Sequence, residues 1–355
     1  MKRTALLWIA LVAALLSGCL RKEILDDISI ESAIGLDDAG ASKIRGTVLI
    51  PIYKKEETTN KTLTSVSISV NDLLEELQHQ ASEPLVNGSI EILLYGKRLA
   101  EKGIFPFVDH FHRDASIGTG LYLAVVDGTA ERLLKGHYGR QGNAIYLSNL
   151  LKHNIEQRDI PKTNLHLFLK AYYADGQDPF LPYIRRAGKN VYIQGIALFR
   201  GDRVVDYIQR NDLFFFKILT DAYTEGTHTL RIDHNLYISI KNIATSRNIS
   251  FSGSQTQPHV HIHLSLEGVV REYKPTPFSP SIRPLIERQF EKEIKKKTSE
   301  LIKRFQQQQI DPIGIGEWAK SHYRRFRYRD FYRRYRDLPV HVTADVRIRD
   351  TGIIE

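Results

Sequence analysis

The stretch His259-Val260-His261-Ile262-His263-Leu264-Ser265-Leu266 alternates polar and apolar side chains without a break, which is the period of a strand with one face buried. The same alternation recurs at Leu236, Ile238 and Ile240, and at Val340, Val342, Ala344, Val346 and Ile348. These three segments read as half-buried antiparallel strands. Between the last two, the period changes to that of a helix. Ser279 and Pro280 supply an N-cap and a first-turn proline, and Ile282, Ile286, Phe290, Ile294, Leu301 and Phe305 then form one apolar stripe. Glu291 with Lys295, Glu293 with Lys297 and Glu300 with Arg304 are spaced for i,i+4 pairing on its solvated face.

Working outward, Asn190 to Phe199 and Arg203 to Ile208 flank Gly201-Asp202, a hairpin signal. Helices are expected around Ser148 to Gln157 and from a cap at Thr163 or Asn164 to Gly176. Gly96 to Arg113 reads as two helices broken at Gly103 to Pro106. Asn71 is the expected cap of a helix presenting Leu74, Leu77 and Ala81. Strands are expected at residues 28–36, 48–53, 63–70, 85–95 and 121–126. Segregated strands and helices define an α+β fold of two to three domains, with antiparallel sheets and packed helices. Its borders are expected at 1–18 for a signal peptide, 19–200 for an N-terminal region of one or two subdomains, and 201–355 for a C-terminal domain.

The first residues define where this fold works. Lys2 and Arg3 precede an unbroken apolar run from Ala5 to Leu16, and Leu16-Ser17-Gly18-Cys19 follows as a lipobox. Cleavage before Cys19 and diacylglyceryl attachment to its thiol would anchor the chain without spanning the bilayer. Cys19 is the only cysteine in the sequence, so the exported body holds no disulfide and relies on its hydrophobic core. The formal net charge is +9. For an exported, membrane-tethered protein a basic balance favours contact with anionic headgroups or acidic partners, and export excludes nucleic acid.

Catalytic signatures are missing: there is no G-x-S-x-G, no H-E-x-x-H and no P-loop. Gly314 and Gly316 read as a structural turn before a helix. His259, His261 and His263 share one strand face, where two such imidazoles could chelate one ion, and are the best metal candidates; a zinc site needs a third or fourth ligand and acceptors that orient the rings, and no cysteine beyond the anchor can help, so the expectation is solvent-facing imidazoles and no cofactor. Residues 323–337 contain seven arginines and six aromatics. Tyr328, Phe331, Tyr332 and Tyr335 fall on one helical stripe, which implies two short helices broken near Arg324-Arg325. Arg324, Arg325, Arg327, Arg329, Arg333 and Arg334 are the candidate surface for a membrane or an acidic partner.

Several of these segments, in order, resemble the Ger(x)C family, the lipoprotein C subunits of spore germinant receptors. Residues 26–37, running from Asp26 to the Gly35-Leu36-Asp37 turn, look like its opening strand. Leu94 to Ile104 and Phe107 to Asp114 are similar to its first strand-to-helix segment. Gln177-Asp178-Pro179-Phe180-Leu181-Pro182 and Gly195-Ile196-Ala197-Leu198-Phe199 resemble its mid-chain signatures. Asp311-Pro312-Ile313-Gly314-Ile315-Gly316-Glu317 and the segment from Leu338 through Thr351-Gly352-Ile353-Ile354 resemble its C-terminal elements, with isoleucines at 313 and 315 where the pattern has aromatics.

The resemblance implies three α+β domains and a non-enzymatic subunit without cofactor. It would be held by Cys19 on the outer face of the spore inner membrane, and would assemble with integral-membrane A and B subunits in nutrient-triggered germination. A solute-binding lipoprotein of a transporter is the alternative that shares the anchor. A metal-dependent hydrolase built on the three histidines is a further one.

Overall fold

The computed structural model describes residues 29–221, 225–232, 236–274 and 280–349. Leu16, Ser17, Gly18, Cys19, the expected cap Ser279 and the closing Thr351-Gly352-Ile353-Ile354 lie outside the described residues. In chain order the elements are β1 (Ser29–Ile30), β2 (Ala33–Gly40), β3 (Lys43–Tyr53), β4 (Thr58–Ser67), α1 (Val70–Gln80), β5 (Leu85–Val86), β6 (Ile92–Gly96), α2 (Lys97–Lys102), α3 (Phe105–Arg113), β7 (Tyr122–Val126), α4 (Ala130–Leu134), α5 (Asn143–Gln157) and α6 (Leu165–Tyr173). There follow β8 (Phe180–Ala187), β9 (Asn190–Arg200), β10 (Arg203–Gln209), α7 (Leu213–Thr220), β11 (Gly226–Arg231), β12 (Tyr237–Ser254), β13 (Gln257–Lys274), α8 (Arg283–Gln308), α9 (Ile315–His322), α10 (Tyr328–Tyr335) and β14 (Val340–Arg349).

The result is the expected α+β architecture. An eight-stranded sheet runs β10-β9-β8-β7-β6-β2-β3-β4, a four-stranded sheet runs β11-β12-β13-β14, and β1 pairs with β5. The margins of the large sheet are antiparallel hairpins, whereas its centre, β2-β6-β7-β8, is parallel. The reason lies in the residues. Ile92-Leu93-Leu94-Tyr95 and Leu123-Ala124-Val125-Val126 are apolar on both faces and fully buried, as strands covered by helices on both sides must be. Leu93 and Tyr95 join the core formed with α1, α2, α3 and α6, while Ile92 and Leu94 face α4 and α5. This second core continues without interruption into the C-terminal sheet and α8.

Local details depart from the sequence reading in instructive ways. Ser69, not Asn71, caps α1, its hydroxyl accepting from the N–H of Asp72 at 3.1 Å, because this start buries Val70 together with Leu73 and Leu77. Leu74 is only partly buried and Ala81 follows the helix. Asn164 caps α6, accepting from the N–H of Leu167 at 2.8 Å, and the helix stops at Tyr173, short of Gly176. The turn Gly201-Asp202 joins β9 to β10 within the large sheet, so the border expected at 200/201 coincides with a hairpin turn.

In the C-terminal part, β12 and β13 pair antiparallel as expected, but β14 lies parallel to β13 because α8 provides the crossover. Helix α8 begins at Arg283 after a 3-10 turn at Pro280–Ile282, which displaces Pro280 from the first helical position.

None of the three i,i+4 pairs expected on α8 forms among the described residues; Glu291, Glu293, Lys297 and Arg304 reach off the helix instead. The Glu291 and Glu287 carboxylates accept the N–H groups of Val346 and Ile348 at 3.1 and 2.9 Å, closing the free edge of β14. Glu293 bonds His228 at 3.1 Å, Lys297 bonds Asp212 at 3.1 Å, and Arg304 bonds Asp206.

Candidate functional site at the domain junction

Two segments distant in sequence, 176–178 and 311–317, dock against each other where the large sheet meets the C-terminal part. The Asp178 N–H donates to the Asp311 carbonyl at 2.9 Å, and the Asp311 N–H donates to Asp178 Oδ2 at 2.7 Å. Asp178 Oδ1 also accepts from the Gly201 N–H at 3.2 Å. Asp311 Oδ1 and Oδ2 accept from the N–H groups of Gly314 and Gly316 at 2.9 and 2.7 Å, and the Glu317 N–H donates to the Gly176 carbonyl at 3.2 Å.

Backbones pass so closely that a Cβ on Gly176 would stand 2.4 Å from the Gly316 carbonyl carbon. Gly314 holds φ at +80°, a left-handed value that favours glycine. The glycines at 314 and 316 thus form the expected structural turn into α9.

Electrostatics at this junction are set by burial. Asp311 is 2% exposed, and desolvation pushes its carboxyl up to about 7 against the opposing pull of the Gly316, Ile315 and Gly314 N–H groups. Burial likewise raises Asp178, opposed by its bonds from Asp311 and Gly201. Lys217, 3% exposed on α7, donates to the carbonyls of Ile155 and Arg158, and burial lowers its pKa.

Ionic contacts hold the same two parts together. Arg304 on α8 grips Asp206 on β10 with Nε–Oδ2 and Nη2–Oδ1 distances of 2.6 and 2.5 Å and also donates to the Tyr207 carbonyl at 3.0 Å. Within the C-terminal part, His228 on β11 bonds Glu293 on α8 and stacks on Phe290 with centroids 5.4 Å apart. The Arg304 side chain is 38% exposed, so solvent screening limits the pair. A double-mutant cycle with Asp206→Ala and Arg304→Ala should return a coupling of about 1 kcal/mol in urea unfolding. A coupling indistinguishable from zero would show the fork to be ornamental.

Two clefts open along the junction. One of about 830 Å³ is lined in part by Asn154, Arg158, Asp159, Arg210, Phe214 and His228. Another of about 440 Å³ is lined in part by Lys162, Gln177, Arg247, Ile313 and Trp318.

The other sequence candidates lie elsewhere. His259, His261 and His263 are exposed on β13. His263 bonds Thr343 at 2.9 Å and Ser265 at 3.1 Å, and His261 bonds Ser252 at 3.0 Å. His341, not singled out from the sequence, stands opposite His261 on β14 with ring centroids 6.2 Å apart. Among the described residues no group of three or more His, Cys, Asp or Glu side chains is arranged to hold a metal ion. No helix among them is long and apolar enough to cross a membrane. Arg324, Arg325, Arg327, Arg329, Arg333 and Arg334 are all exposed, on α10 and the turn before it. The break expected near Arg324-Arg325 falls between α9 and α10.

A multidomain α+β body whose halves are joined by buried carboxylates and paired glycines is the class that fold and site define. Residues 21–186 match the family described as "Spore germination protein N-terminal domain", and residues 194–352 match "Spore germination B3/GerAC like, C-terminal". Spore germination protein GerQC of Bacillus cereus is 32% identical over 100% of both chains. Spore germination protein KC of Bacillus subtilis (strain 168) is 23% identical over 95% of this chain and 93% of its own. The crystal structure of the GerBC protein shares the fold, with a TM-score of 0.62 at 12% identity over 89% of this chain and 97% of that one. The chain belongs to the Ger(x)C, or GerAC-like, family of spore germination proteins.

The Asp178–Asp311 contact joins one segment from each of the two family-matched regions. Both segments resemble signatures of the family, but nothing in their spacing along the chain indicates that they touch.

Proposed function

We propose that this chain is the lipid-anchored C subunit of a spore germinant receptor, acting in nutrient-triggered germination through assembly or signal coupling with integral-membrane A and B subunits. The observation that carries the reading is the full-length similarity to spore germination proteins across both family regions. The lipobox at Leu16-Ser17-Gly18-Cys19 supports anchorage on the outer face of the spore inner membrane. Each buried methylene of two acyl chains contributes about 0.8 kcal/mol, so attachment is durable. Confinement beside integral partners raises effective concentration, and modest contact surfaces then suffice. The chain works by contact, not by catalysis and without a cofactor.

The junction supports this over a solute-binding lipoprotein. Such proteins bind by closing two lobes around a ligand, and here the two halves are stapled by reciprocal Asp178–Asp311 bonds and share one core.

Cys19→Ala is expected to move the protein from the membrane to the soluble fraction of spores and to slow nutrient-triggered germination. Full membrane retention with normal germination would defeat the anchoring part of the reading.

A further inference from the structure

The arginine-rich segment around α10 has a geometry that the anchored-subunit reading does not use. Phe331 and Tyr335 are buried on one side of the helix. Arg329, Arg333 and Arg336, spaced by four and three residues, form the opposite stripe and are exposed. Arg324, Arg325 and Arg327 extend this surface through the preceding turn. Among the described residues Arg333 alone of these has a carboxylate within salt-bridge distance, Asp330 at 3.8 Å. The remaining acidic side chain of the segment, Asp337, is exposed and pairs with none of them.

The surface is also held in place. The Gln255 amide donates to the Arg325 carbonyl at 2.7 Å, and Arg334 donates to the Thr256 carbonyl at 2.6 Å, tying the tip of the β12–β13 hairpin to the segment. The Gln306 amide donates to the Tyr335 and Leu338 carbonyls at 2.9 and 2.8 Å, fixing the end of α10 to α8. The Tyr332 hydroxyl bonds the Gln309 carbonyl.

We propose that this stripe is a docking surface for an acidic protein segment carrying carboxylates at one-turn spacing, complementary to Arg329, Arg333 and Arg336. Residue type decides between protein and lipid. Attraction to anionic headgroups is nearly indifferent to whether the cation is lysine or arginine. Planar guanidinium groups instead match carboxylates bidentately, and arginine and tyrosine are enriched at protein interfaces where lysine is depleted. Residues 323–337 contain seven arginines, four tyrosines and no lysine. By contrast, α8 displays Lys292, Lys295 and Lys296 as a solvated lysine face.

The test uses the full-length chain in neutral detergent and a fluorescein-labelled helical peptide with glutamates at i, i+4 and i+7, read by anisotropy. Wild-type protein is expected to bind. The triple variant R329K/R333K/R336K, which keeps the charge, should weaken binding by about tenfold, because the bidentate geometry is lost. Removing charge in R329Q/R333Q/R336Q should weaken it further, while K292Q/K295Q/K296Q should stay within about twofold of wild type. Arg329, Arg333 and Arg336 are all exposed, so unchanged circular dichroism would confirm intact folding.

Absence of binding by folded wild-type protein would overturn the proposal, as would equal binding by the lysine variant. Equal loss in the α8 control would show diffuse attraction instead of a docking surface. Stronger capture by vesicles containing phosphatidylglycerol, retained in the lysine variant, would assign the stripe to lipid. None of these readouts depends on Cys19, so the anchored-subunit reading stands or falls separately.

Discussion

Gly176→Val is expected to lower the stability of the whole protein by about 3 kcal/mol or more, seen as an earlier urea midpoint. The added Cβ alone would meet the Gly316 carbonyl carbon at 2.4 Å and the Glu317 nitrogen at 2.5 Å. Those are backbone atoms that cannot rotate away, so the strands of chain at the junction must separate. Separation strains the reciprocal Asp178–Asp311 bonds and threatens two carboxylates whose other acceptor sites are already committed to N–H groups. The matched control is Gly120→Val, where a Cβ meets nothing within 4 Å and the cost should stay within about 0.5 kcal/mol.

Trp318, the only tryptophan beyond the first 18 residues, lines the smaller cleft at this junction and is a local probe of it. Its fluorescence should shift together with circular dichroism, because the second core runs unbroken through both halves. Equal midpoints for Gly176→Val and wild type would mean that the junction is not a stability element.

Strands with one wet face were legible from the sequence because burial there imposes period two, and β13 and β14 appear where the alternation placed them. Direction was not. Alternation reports which face is buried, not the orientation of the neighbour, so the parallel β13–β14 pair required knowledge of the crossover. Helix α8 was equally visible from its apolar stripe. Its polar groups are not predicted by i,i+4 spacing because that spacing describes an isolated helix, while Glu291, Lys297 and Arg304 each meet a partner on another element.

The junction was only half legible. The glycines of residues 314–316 announced a turn, but the reason for Gly176 is a backbone 140 positions away in the chain, and no local pattern encodes such an approach. Buried, unpartnered carboxylates are harder still, since a glutamate in a strand reads as solvent-facing until its cover is known.

Glu31 is such a group, and it yields a sharp expectation. It sits between β1 and β2, is 1% exposed, and among the described residues its Oε2 has no hydrogen-bond partner. The backbone is held in place by the N–H of Glu31 donating to the Val86 carbonyl at 3.0 Å. Burial pushes the carboxyl up from 4.5 to about 7. Between those values the folded chain binds more protons than the unfolded one, so this group makes stability fall as pH rises through the window, and the full penalty persists above it.

Asp311 at about 7 and Asp221 at about 6 act in the same direction, so a pH series on wild type alone does not isolate Glu31. Glu31→Gln does, because the amide is nearly isosteric and never ionises. The variant should be more stable than wild type by about 2–3 kcal/mol at pH 8, with the difference shrinking towards zero below about pH 4.5. Urea unfolding of both proteins at pH 4.5, 6 and 8 measures it. A stability difference that does not change with pH would show that Glu31 is solvated or paired in solution, contrary to its burial between the two strands.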